Sequence, residues 1–118
     1  IRAFAAEASA GAADDVGRAV KLFYAVRDRW RYDPFSIRLP REHYVASGVH
    51  ASKAAYCIPK AVLLAAAARA VGIPAGIGLS DVVNHLTTDK LKEKMGGSTL
   101  FVDHGYAVLY LDGRWVKA

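Results

Sequence analysis

From Ile58 to Val71 the chain is apolar except at Lys60 and Arg69. Pro59 suits the first turn of a helix, where a missing N–H costs nothing, and Gly72 suits the position just past the end. Pro74 follows, where a helix cannot continue. The run therefore predicts a helix over 58–71. A helix apolar on nearly every side has to be enclosed by the rest of the chain. It is also shorter than the ~20 apolar residues a membrane span requires, so no membrane partner is expected. Cys57 stands immediately before it.

The flanks supply what could enclose such a helix. Ala3 to Ala10 is alanine-rich and helix-favouring, and Gly11 can end it. Asp14 or Asp15 can cap a second helix, in which Val16, Val20, Phe23 and Trp30 recur at helical spacing and Leu22 and Val26 widen the stripe. Pro34 closes that segment and pushes Asp33 out of the helical region. Residues 35–56 follow neither period and read as a long loop with short local structure at most. Beyond the central helix, Ile73–Leu79, Leu100–Val102, Tyr106–Leu111 and Arg114–Val116 read as strands, with a short helix over Thr87–Met95 between the first two. Asp112-Gly113 is a two-residue hairpin signal. The order predicts an α+β domain whose buried helix packs on a mostly antiparallel sheet.

At 118 residues, 53% of them hydrophobic, the chain can form one domain with a substantial core, expected over 1–118. The net charge of +5 and pI near 9.5 weakly favour anionic partners. One cysteine excludes an internal disulfide and a Cys-based zinc site of the usual kind, and fits a reducing compartment, with the cytoplasm the expectation. No phosphate-cradling glycine loop or calcium loop is present, so no cofactor or metal is expected. There is no initial methionine and no basic-then-apolar leader pattern, which fits a trimmed fragment.

Cys57 is the chemically distinctive residue. A thiol is nucleophilic as thiolate, and a helix N-terminus favours that form through its unpaired N–H groups and dipole. An imidazole would complete the activation. Of His43, His50, His85 and His104, the last is best placed. It lies where one strand gives way to the next on the sheet that a Cys-bearing helix would cover, and Gly105 leaves room beside it. The plain alternatives are a small buried core cysteine and a strand-end histidine with a satisfied hydrogen bond.

Two segments carry a family resemblance. Ala55-Tyr-Cys57-Ile-Pro-Lys60, continuing to Gly72-Ile-Pro74-Ala, resembles the nucleophile helix of transglutaminase-like domains. Asp103-His104-Gly-Tyr through Asp112-Gly-Arg-Trp115-Val resembles their histidine hairpin. Trp30-Arg-Tyr32 is similar to the aromatic pair closing the first family helix. Asn84-His85-Leu and the Lys90–Gly96 stretch resemble a connector of bacterial transglutaminase-like cysteine peptidases. The resemblance covers about Asp15 to Ala118. It implies a papain-like fold, Cys57 and His104 as catalytic residues, and a peptide or protein substrate. It also implies a third, orienting acid shortly after the Trp-Val stretch, at or just past Ala118. Asp112 is no substitute, because it sits in the hairpin turn at the far end of a strand. Asp103 is assigned to the opposite face from His104 by alternation.

Other features read plainly. Arg27-Asp-Arg-Trp30-Arg-Tyr32 mixes basic and aromatic residues, but the arginines fit a solvated helix face and no nucleic-acid partner is expected. Lys90, Lys92 and Lys94 solvate a short helix. The sequence therefore supports a cysteine-dependent peptidase or amidase, with transamidation open, or a non-catalytic transglutaminase-like domain used for binding.

Overall fold

The structure is a computed structural model that describes residues 1–38 and 40–118. Its elements run α1 (Arg2–Ala8), α2 (Asp15–Arg29), β1 (Arg31–Tyr32), a 3₁₀ turn (Arg41–Tyr44), α3 (Ala46–Ala51), β2 (Ala54–Ala55), α4 (Cys57–Ala70), β3 (Ala75–Val83), α5 (Asp89–Lys94), β4 (Leu100–Leu111) and β5 (Arg114–Lys117). Strands β3, β4 and β5 form an antiparallel meander, and β1 pairs with β2 in a separate parallel ladder of two residues each. No described helix is long and apolar enough to cross a membrane.

The central helix lies where its composition puts it. α4 packs against α1, α2, α3, β3 and β4. Leu63, Ala67 and Ala68 are fully buried, and Leu64 and Ala65 nearly so. Alanine on several sides lets these neighbours come close, and fully burying Leu63 contributes about 1.5–3 kcal/mol. Gly72, at φ +88°, ends the helix in the left-handed region that glycine enters without penalty. Asp112 and Gly113, at φ 50° and 78°, make the tight hairpin between β4 and β5.

Asp14 caps α2, its side chain accepting a 2.7 Å hydrogen bond from the Gly17 N–H. The buried face of α2 is Ala19, Leu22 and Val26, whereas Val16, Val20 and Phe23 are exposed. The expected stripe is thus rotated by about one residue. Both series have helical spacing, and the closely packed α4 selects the one containing the small Ala19. Trp30 follows the helix and is buried, its ring edge-on to Phe4 with centroids 5.2 Å apart.

Two regions without a clear period take definite form. Residues 35–56 contain α3 and β2, elements too short for periodicity to reveal. The strands expected at Leu100–Val102 and Tyr106–Leu111 are one strand, β4, with His104 in its interior. Ser80 pairs with His104 but Val82 pairs with Phe101, so β4 carries one extra residue there. Asp103, at φ 56°, takes up this bulge. Simple alternation between Asp103 and His104 therefore does not apply.

Candidate active site

Cys57 is the first residue of α4. The preceding Tyr56 has extended backbone and no side chain caps the helix, unlike α2 and α5, which Asp14 and Thr88 cap. The first helical bond runs from the Lys60 N–H to the Tyr56 carbonyl at 3.1 Å. Pro59 has no N–H, so Cys57 and Ile58 carry the donors free to face an incoming oxyanion.

His104 reaches this point through a close approach. A Cβ on Gly105 would lie 2.7 Å from Ile58 Cγ1 and 2.8 Å from its Cα. Only glycine lets β4 cross so tightly over the start of α4. A cavity of about 280 Å³ opens there, and Cys57 and His104 both line it together with Phe23, Tyr32, Leu64 and Tyr106. Both are half-buried. The other histidines lie elsewhere: His43 on a different cavity, His50 against Phe4 and Trp30 in α3, and His85 exposed in the turn after β3. Among the described residues, no carboxylate comes within ion-pair reach of His104. Asp112 stays in the β4–β5 turn, and Asp103 takes its backbone bond from Asp81, whose Oδ1 accepts from the Asp103 N–H at 3.2 Å.

Tyr32 is the residue that sequence reasoning did not single out as part of the site. Burial first, and then the nearness of Cys57, push its phenol above the ordinary 10.0. Its position comes from the β1–β2 ladder, where Tyr32 faces Ala55 two residues before Cys57. The only sequence signal was its place in the aromatic pair after α2. Lys60 supports the same corner. Its ammonium donates to the Arg27 carbonyl at 3.0 Å and the Trp30 carbonyl at 2.6 Å, tying the end of α2 to α4. Burial pushes its pKa down.

The arrangement sets a thiol, an imidazole, a phenol and free helix N–H groups around one largely apolar cavity. The sequence matches the transglutaminase-like superfamily over residues 2–118. No curated protein matches it. The fold is similar to a candidate protease from Parabacteroides distasonis ATCC 8503, with a TM-score of 0.64 at 17% identity, over 98% of this chain and 22% of that one. The chain thus spans about a fifth of the length of that protein.

Proposed function

The chain belongs to the transglutaminase-like superfamily, and from that premise we propose that it is a thiol enzyme cleaving amide bonds. Cys57 Sγ attacks the carbonyl carbon, and His104 takes the thiol proton. The tetrahedral oxyanion is held by the N–H groups of Cys57 and Ile58. As the C–N bond breaks, His104 gives its proton to the leaving amine, and a thioester remains on Cys57. Water, deprotonated by His104, then releases the acid and restores the thiol. An amine in place of water would give transamidation. Hydrolysis is preferred because the described residues around the cavity form no second amine-binding feature.

The observation that carries this reading is that Cys57 and His104 line one cavity beside an uncapped helix start. The test is the pH dependence of Cys57 alkylation by iodoacetamide in wild type and His104→Ala. Wild type is expected to react well below the ~8.5 of a free thiol, and His104→Ala to lose that low-pH reactivity. An unreactive Cys57, or identical profiles, overturns the reading. One observation favours a non-catalytic binding domain instead: no described carboxylate orients His104. Identical alkylation profiles would select it.

A further inference from the structure

We infer that a second cavity, beside the start of α4, binds a carboxylate of the peptide substrate. It measures about 420 Å³ and is lined by Arg31, Arg38, His43 and Lys53, with Asp33 and Tyr56 in its wall. The β1–β2 ladder builds it: the Arg31 N–H donates to the Lys53 carbonyl at 3.2 Å and the Asp33 N–H to the Ala55 carbonyl at 3.2 Å. Sequence neighbours divide between the two cavities. Arg31, Tyr56 and Pro59 line this one, while Tyr32, Cys57 and Lys60 line the one that holds the thiol. The two cavities therefore adjoin at the start of α4, where a peptide whose carbonyl meets Cys57 would lie. In this role the cavity rests on the acyl-transfer reading.

The charge is unbalanced. Asp33 is the one carboxylate in the lining, and it is already engaged, accepting from the Phe35 N–H at 3.0 Å and from Arg31 at 3.3 Å. The serine hydroxyls are spent internally, Ser36 on the Asp33 carbonyl and Ser52 on those of Val49 and Ala54. Arg38 and Lys53 have no carboxylate within ion-pair reach among the described residues. Cations of one sign around a concave space concentrate anions in it. The Asp33 charge disfavours a phosphate dianion more than a singly charged carboxylate. Val49, Ala55 and Pro59, all buried, supply apolar wall for the stem of an acidic side chain.

The test uses the Cys57→Ala chain, which cannot turn substrate over. Three short peptides are titrated calorimetrically: one with a central Glu and both ends blocked, its Gln counterpart, and a neutral peptide with a free C-terminus. Inorganic phosphate is the control anion. The Glu peptide or the free-C-terminus peptide is expected to bind about tenfold or more tighter than the Gln peptide, and added salt should weaken it. Which of the two binds tells whether the carboxylate is a side chain or a chain end. Arg38→Gln combined with Lys53→Gln should abolish the preference without moving the unfolding midpoint, since both side chains are at the surface. Equal or absent binding of all three peptides, a preference that survives the double substitution, or binding of phosphate alone overturns the inference. The measurement is independent of alkylation. Carboxylate binding with His104-independent alkylation keeps the site and removes the enzyme. The opposite pair of results keeps the enzyme and removes the site.

Discussion

Gly105 and Ile58 touch backbone to backbone: a single added methyl on Gly105 would fall 2.8 Å from Ile58 Cα and 3.0 Å from its N atom. This contact couples the strand carrying His104 to the helix that begins at Cys57. Gly105→Ala is expected to destabilise the chain by about 1–3 kcal/mol, because β4 must move off α4. Urea unfolding measures that. The same variant should also lose the His104-dependent part of Cys57 alkylation, because the displaced strand takes the imidazole with it. Retention of both stability and profile would show that the contact yields at no cost.

Tyr32 offers a cleaner substitution. Tyr32→Phe keeps the ring and removes the hydroxyl from the cavity that Tyr32 and Cys57 both line. Where that hydroxyl donates to the thiolate, its loss should move the alkylation midpoint upward by up to about one pH unit, a charge-assisted hydrogen bond being of that order. Thermal unfolding should shift little, since the ring still fills its place. A profile identical to wild type would assign the hydroxyl a purely packing role.

The pair Tyr44–Tyr56, hydroxyl to hydroxyl at 2.8 Å, sets a pH limit. Burial first, then the hydrogen bond to Tyr44, raises the Tyr56 phenol well above the ordinary 10.0. The folded state therefore keeps a proton that the unfolded chain loses from about pH 10 upward. Its contribution is complete below that pH and disappears as the solution passes through the folded value. Lys60 acts with the opposite sign, since its lowered pKa lets stability rise towards 10.5. Comparing wild type with Tyr56→Phe cancels the Lys60 effect. The denaturant midpoint of wild type should fall more steeply between pH 9 and about 11 than that of Tyr56→Phe. Parallel curves would refute the assignment.

Lys60→Met retains the apolar stem and removes the ammonium from the Arg27 and Trp30 carbonyls. The expected cost is about 1–3 kcal/mol, the range for leaving partly buried acceptors unpaired. Equilibrium unfolding in urea checks it, and an unchanged midpoint would mean that water replaces the ammonium.

The parts of this fold that rest on local chemistry could be read from the sequence. The helix of Cys57, its glycine stop and the Asp112-Gly113 hairpin all follow from residue types acting over a few positions. The arrangement around Cys57 was less legible. Two apolar series one residue apart on α2 satisfy the same period, and only the neighbour, α4, decides between them. A two-residue ladder has no period at all, so β1, β2 and the placement of Tyr32 were hidden. The bulge at Asp103 depends on a register between distant strands, which the sequence does not spell out residue by residue. The cationic cavity was hidden for a similar reason: Arg31, Arg38, His43 and Lys53 are spread over 31–53, and the ladder gathers them.

That ladder has a kinetic consequence. β1 and β2 are joined at two positions each, whereas β3 and β4 are paired along most of their length. Opening energies within a fold scale with how much is held together, so the short ladder can part while α4 and the meander stay intact. Tyr32 and the wall between the two cavities would go with it. Tyr32 is thus mounted on a more weakly held segment than the thiol on α4 and the imidazole on β4. Amide exchange at Arg31 and Asp33 should report that local opening long before the core lets go.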